Sequence, residues 1–278
     1  MENVTRGLIK SLFPGRDKWS HKGQNGKLLI VGGSLRYSGS PALAAMAAIR
    51  SGTDLTLVAA PKRAADIIAC FKPDIITEPL SGNHLSKKDV SHVLELSEWA
   101  DAVLVGGGLD RMPQTYEAIR GILKRIDRPC VLDAESLHAV SGDRGLLRKD
   151  FVLTPHEGEF RSLGGKGPSH NIGERLSEVN ALSRKLKVTI LLKGHADIIS
   201  DGYRQAINRT GNEYMTKGGT GDVLAGICGS LLARGIDTFD AASASAWISG
   251  SAGDMAVKEN GPGFFVSEML DFIPKVIW

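Results

Sequence analysis

Cysteine is scarce in this chain. The 278 residues hold three, Cys70, Cys130 and Cys228, with no CxxC pair among them. That excludes a disulfide-stapled secreted scaffold and fits a reducing compartment, with the cytoplasm as the expectation. Aromatic residues make up only 6%, and Lys and Arg are scattered rather than clustered. A nucleic-acid groove combines a basic stripe with stacking rings, so no nucleic-acid partner is expected. No apolar run approaches the ~18–20 residues of a membrane span, and the N-terminus MENVTRGLIKSLFPGRDKW lacks a signal-peptide core; no membrane association is expected. The common nucleotide and hydrolase fingerprints are missing as well. There is no P-loop, no GxGxxG opening a helix, no HExxH and no GxSxG.

What remains is an ordinary globular composition, 42% hydrophobic and 23% charged with a net charge of +3, which disfavours disorder and suits a small anionic ligand better than a polymer. Short apolar runs alternate with amphipathic segments. Leu28–Val31, Leu55–Ala59, Val103–Val105, Cys130–Leu132, Phe151–Thr154 and Val188–Leu192 read as strands. Pro41–Ser51, Lys62–Cys70, Ile172–Leu186, Thr220–Arg234, Asp240 to about Lys258 and Val266 to about Lys275 read as helices. The strands are continuous apolar runs rather than alternating ones, as strands buried on both faces are. A mostly parallel, doubly wound α/β sheet with helices on both faces follows. Residues 203–208 pair with 196–200 as a hairpin around Asp201-Gly202. Gly164–His170 reads as a surface loop, and no linker or repeat divides the chain, so one domain is expected over residues 1–278.

The unusual quantity is glycine: 33 residues, about 12% against a usual ~7%. Gly32-Gly33 and Gly106-Gly107-Gly108 follow apolar strands, and Gly218-Gly219-Thr220-Gly221 opens a helix. In open α/β sheets ligands bind beyond the carboxyl ends of strands, where glycine lets backbone N–H groups approach them. Each cluster alone is equally what a tight turn or close helix packing needs. Gly226 and Gly229 read as helix packing, and Gly164, Gly165 and Gly167 as plain loop. In GGTGD, the free N–H groups of residues 219–222 and the helix dipole form an anion hole. Asp222 inside that hole would repel a phosphate; it makes sense as the acceptor of a proton from a hydroxyl attacking a phosphoryl group. The dipole is expected to keep Asp222 ionised and weakly basic; the alternative is an aspartate that only stabilises a helix start.

GGTGDVLAG resembles the GxGD signature of the ribokinase-like superfamily. NRTGNEYMTKGGTGDVLAG, residues 208–226, is similar to a block of the ADP/ATP-dependent NAD(P)H-hydrate dehydratase family, and GKLLIVGGS, GSPALAAMAAIRSG, VLVGGGLD, VLDAESL, LTPHEGEF and LLKGHADIIS agree in order from Lys27 to about Gly261. The resemblance implies dehydration of hydrated NADH or NADPH, through phosphorylation of the ring hydroxyl by ADP or ATP and loss of phosphate. It implies Asp222 as catalytic base, with Gly219 and Gly221 at the anion hole. Ser40, Gly106, Gly108, His156, Asn208 and Asn212 fall on the substrate. Lys193, Gly194, His195, Ala196, Asp197 and Gly221 fall on the nucleotide, and Glu159 on magnesium. Three positions depart from the family: Asp197 stands where threonine is usual, Gly107 where proline is, and Asp110 where the next glycine is. Asp133, after VL, is left between a role at the metal and the capping of the helix that follows.

Sugar kinases of the superfamily insert a β-lid after the first strand; LLIVGGS runs straight into a helix, so no lid is expected. Closure by a neighbouring subunit of a homo-oligomer, dimer or tetramer, is expected instead. About 26 residues precede the first strand, so an N-terminal extension over 1–26 without an epimerase domain is expected, with a separate epimerase as partner. The alternative activity is a small-molecule kinase of the hydroxyethylthiazole or hydroxymethylpyrimidine type.

Overall fold

A computed structural model describes residues 2–166 and 170–278. Its strands are β1 (Glu2–Asn3), β2 (Lys27–Val31), β3 (Leu55–Pro61), β4 (Ile76–Leu80), β5 (Ala102–Val105), β6 (Cys130–Leu132), β7 (Phe151–Leu153), β8 (Thr189–Leu192), β9 (Asp197–Ser200) and β10 (Gln205–Asn208). They form one sheet among the described residues, in the order β1-β10-β9-β8-β7-β6-β5-β2-β3-β4. All neighbouring pairs are parallel except the two that β9 makes with β8 and β10. The chain runs outward from β2 to β4, then returns to β5 on the other side of β2, so the switch point lies between β2 and β5. There Gly33 N donates to Gly107 O at 2.9 Å, so the first two glycine clusters meet.

The helices are α1 (Arg6–Leu12), α2 (Gly39–Arg50), α3 (Lys62–Phe71), α4 (Val90–Trp99), α5 (Pro113–Leu123), α6 (Glu135–Ser141), α7 (Glu157–Ser162), α8 (Ile172–Leu186), α9 (Thr220–Ala233), α10 (Thr238–Asn260), α11 (Val266–Met269) and α12 (Ile273–Ile277). Strand residues alternate between two cores. Leu28 and Ile30 face α2, α9 and α10, while Leu29 and Val31 face α4, α5 and α8. A period of two with both faces covered produces an unbroken apolar run, which is why the strands do not alternate in sequence. Between β2 and α2 no strand intervenes, so the lid is absent from these described residues. No helix among the described residues is long and apolar enough to cross a membrane.

The packing of α2 against α9 sets the site. The face of α2 is alanine, with Ala44, Ala45, Ala47 and Ala48 buried, and a Cβ on Gly226 of α9 would stand 2.2 Å from the Ala44 carbonyl oxygen. Only glycine permits that approach. It brings the N-terminal turns of the two helices, carrying Ser40 and Asp222, together at the carboxyl edge of the sheet. Gly229 faces the Leu28 side chain of β2, at 3.1 Å from a Cβ placed on it, so it packs helix on strand rather than helix on helix.

Several expectations need correction. Within the expected extension, β1 pairs with β10, and Ile9 of α1 is fully buried. The final helix divides into α11 and α12, with Pro274 in the first turn of α12; proline has no N–H to continue a helix through it. Gly164 and Gly165 are not plain loop. Gly165 backs onto the Phe160 ring, 2.1 Å from a Cβ placed there, and Gly164 takes φ +97°. Gly167, and with it part of the expected Gly164–His170 loop, lies outside the described residues. The cysteines are unpaired, with Cys130 and Cys228 buried and Cys70 exposed.

Candidate active site

Asp222 sits in the first turn of α9, whose N-cap Gly219 takes φ +107° and offers no side chain to the helix end. Thr220 N donates to the Lys217 carbonyl at 3.4 Å, and the N–H groups of Gly221 and Asp222 remain available to an anion. Asp222 stands between two surfaces. On one side is the switch-point loop: a Cβ on Gly107 would meet Asp222 Oδ1 at 2.5 Å and Ser40 Cβ at 3.3 Å, and the Ser40 hydroxyl hydrogen-bonds the carboxylate. On the other side is Lys193, at the end of β8, whose Nζ lies 3.4 Å from a Cβ placed on Gly221.

The carboxyl of Asp222 is pushed up from 3.8 to about 7. Burial is the main cause and the nearby Asp133 charge adds to it; the Ser40 hydrogen bond and Lys193 oppose them. This corrects the expectation of a weak, fully ionised base: desolvation and a like charge outweigh the helix dipole. Asp133 is itself buried, and its Oδ1 accepts from Lys193 Nζ at 2.9 Å and from Thr154 Oγ1 at 2.7 Å. Its side chain does not cap α6, since that helix has Ala134 as N-cap and no side-chain cap. Ala134 takes φ +49°, a conformation that costs an L-residue energy and is found mainly where the surroundings enforce it. A Cβ on Gly106 would fall 2.0 Å from the Asp133 carbonyl, so Gly106 is needed to let β5 and β6 end side by side here. Burial depresses the Lys193 ammonium, but the carboxylates of Asp133, Glu159 and Asp222 outweigh it and push it up.

Beyond Lys193 opens a cavity of about 710 Å³ lined by His156, Lys193, Gly194, His195, Asp197, Asn212, Gly221, Leu224 and neighbours on α10 and the 210–220 loop. Ala196 does not line it; its side chain is buried in the core. His156 and Asn212 also line this cavity. His156 caps α7, with Nδ1 accepting from Gly158 N at 3.0 Å and Glu159 N at 3.2 Å. Asn212 donates to Asp254 Oδ1 at 2.8 Å. Asn208 reaches neither surface. It is fully buried, and its amide donates to Asp197 at 3.0 Å and to the Ala246 carbonyl at 3.2 Å, so it ties the cavity wall together. Asp197 accepts from Gly194 N at 3.0 Å. At the switch-point loop, Asp110 pairs with His84 Nδ1.

No group of three metal-ligating side chains occurs among the described residues. Glu159 is buried, with Oε2 accepting His156 N at 2.9 Å and Oε1 3.3 Å from His156 Nε2. A single carboxylate beside a phosphate site fits a magnesium ion that arrives with the nucleotide and keeps most of its water, not an ion caged by protein. Two residues escaped sequence reasoning. Arg175, in the first turn of α8, places Nη2 2.5 Å from a Cβ on Gly194 and pairs with Glu157. Asp254 of α10 anchors the loop at Gly211 and Asn212. Neither lies in a motif, and nothing local marks them.

A doubly wound sheet with an aspartate at a glycine-capped helix facing its switch point defines a ribokinase-like α/β protein. A family model described as NAD(P)H-hydrate dehydratase matches residues 28–275, and the chain belongs to that family. It is 41% identical over 270 residues to the bifunctional NAD(P)H-hydrate repair enzyme Nnr of Methanothermobacter thermautotrophicus, covering 95% of this chain and 52% of that one. The chain thus spans about half the length of such bifunctional relatives. It is 36% identical over 272 residues to the ADP-dependent (S)-NAD(P)H-hydrate dehydratase of Cenarchaeum symbiosum, covering 97% of this chain and 94% of the relative. The crystal structure of the ADP/ATP-dependent NAD(P)H-hydrate dehydratase of Bacillus subtilis, co-crystallized with ATP/Mg2+, superposes with a TM-score of 0.83 at 26% identity, covering 99% of this chain and 97% of that one.

Proposed function

We propose that this chain catalyses the ADP- or ATP-dependent dehydration of hydrated NADH or NADPH, a nicotinamide-nucleotide repair reaction. The observation that carries this reading is the place of Asp222, between a glycine-lined switch point and a cation-headed cavity. The hydrated nicotinamide lies against Ser40, Gly106 and Gly108. The phosphoryl donor lies in the cavity, with its phosphates at Lys193 and the N–H groups of Gly219, Gly221 and Asp222, and with Gly194, His195, Asp197, His156 and Asn212 around it. Asp222 takes the proton of the ring hydroxyl as that oxygen bonds to the terminal phosphorus of the donor, and the bond from that phosphorus to its bridging oxygen breaks, releasing AMP from ADP or ADP from ATP. A base near pH 7 holds the proton well at neutral pH, and the loose transition state asks little more of it. Lys193 and the helix end hold the charge that develops on the phosphoryl oxygens. The ring carbon–oxygen bond then breaks with its electron pair leaving on phosphate, and loss of a proton from the adjacent ring carbon restores the double bond of the reduced nicotinamide.

Glu159 would hold magnesium through water, and the ion supplies charge screening on the donor's phosphates when bound. We also propose a homo-oligomer, dimer or tetramer, whose neighbouring subunit covers the lidless site, a cytoplasmic location, and an epimerase serving the opposite epimer of the hydrate. The test mixes the protein with hydrated NADH, Mg2+ and ADP or ATP and follows recovery of absorbance at the NADH band. Recovery with either nucleotide supports the proposal. No recovery, with stable phosphorylation of a hydroxyethylthiazole or hydroxymethylpyrimidine instead, refutes it.

A further inference from the structure

Asp197 is a buried charge that phosphoryl transfer leaves without a task. It opens β9 and lines the cavity. Its Oδ1 accepts from Gly194 N at 3.0 Å, and its Oδ2 accepts from the Asn208 amide at 3.0 Å. An ionised carboxylate has about four acceptor positions, so each oxygen keeps one for a further donor. A residue that only tied the turn would not need to desolvate a full charge, which is costly. Burial indeed pushes the Asp197 carboxyl up, against the Asn208 amide, Gly194 N–H, Lys193 and Arg175. The guanidinium of Arg175 pins this turn from behind: its buried Nη2 has no hydrogen-bond partner among the described residues and packs against Gly194.

The position of Asp197 selects the donor it serves. Through Gly194 it is joined to the turn that carries Lys193, whose ammonium stands beside Gly221 at the phosphate-binding helix end. Other parts of the wall, Leu224, Met215 and Ala246, are apolar and suit a flat base. The part of a nucleotide that joins phosphate to base is the sugar, and its hydroxyls are donors matched to an acceptor-only side chain; acidic side chains bind ribose hydroxyls this way in dinucleotide folds. We propose that Asp197 accepts a hydrogen bond from a ribose hydroxyl of the phosphoryl donor, so that the site selects ribonucleotides over deoxyribonucleotides. This rests on the reading of the cavity as the ADP or ATP site.

Calorimetric titration tests it without relying on turnover. Wild type, Asp197→Asn and Asp197→Thr are titrated with ADP, 2′-deoxy-ADP, 3′-deoxy-ADP and inosine diphosphate, and unfolding without nucleotide checks that each variant is folded. Wild type is expected to bind ADP at least about tenfold more tightly than one of the deoxy analogues, the scale of a hydrogen bond to a charged group. Both variants are expected to lose that preference. Equal binding of ADP and both deoxy analogues by wild type overturns the inference, and this arm needs no variant to fold. So does a preference that survives in both variants, or a loss that follows inosine diphosphate, which would assign the carboxylate to the base amine. Wild type that binds ADP without sugar selection leaves the function reading intact, whereas failure to bind ADP and ATP at all overturns both.

Discussion

Replacing Asp222 by Asn should make the protein inactive and more stable at once. The carboxyl stands at about 7 in the folded chain against an ordinary 3.8. The native state therefore binds this proton more tightly than the unfolded chain does. Between pH 3.8 and 7 the unfolded state ionises first, so stability falls as pH rises across that window and is level above it. At 1.36 kcal/mol per unit, the ionised native group costs roughly 4 kcal/mol. Asparagine carries no such cost and leaves Lys193 paired with Asp133. The gap in stability between D222N and wild type should be small at pH 4, widen to pH 7, and stay constant above. At pH 8 the variant should melt higher by about 5 °C or more. Loss of the base should lower kcat/KM by about 10²–10⁴-fold, while wild-type kcat/KM should climb through pH 6–7 to a plateau. Thermal unfolding from pH 4 to 9 and a pH–rate profile measure both. A variant no more stable than wild type at pH 8, a gap that does not change with pH, or normal turnover would refute the assignment of a buried base.

Two further perturbations separate the parts of the site. Lys193→Gln removes a charge that lowers the Asp222 carboxyl and faces the helix end; the pH–rate inflection should move up, and ADP binding should weaken by about tenfold or more, both read by titration and kinetics. Gly226→Ala puts a methyl 2.2 Å from the Ala44 carbonyl, so α2 and α9 must part, at about 1–3 kcal/mol, and Ser40 must leave Asp222; the melting temperature and kcat should fall together.

Much of this protein can be read along the chain, because its signals are local. The strand runs, Ile172–Leu186 as α8, and the hairpin at Asp201-Gly202 depend on neighbours a few residues apart. GGTGD shows its helix start and its misplaced carboxylate together, and the motif order is enough to identify the family. What the sequence left open depends on residues far apart. Asp133 could be a cap or a site residue until Lys193, 60 positions later, was found against it. Only the fold shows that His156 and Asn212 line one cavity with Lys193. The motif position of Asn208 did not show that its amide is fully buried. Local electrostatics predicted an ordinary base at Asp222, since the dipole is visible in the sequence. Its real setting comes from burial and from the Asp133 charge delivered by a different strand. By itself the sequence determined the elements and the family and marked Asp222 as the candidate base; tertiary packing decided how tightly that carboxyl holds a proton and which groups face it, because desolvation and charge pairing depend on distances in space that no spacing along the chain records.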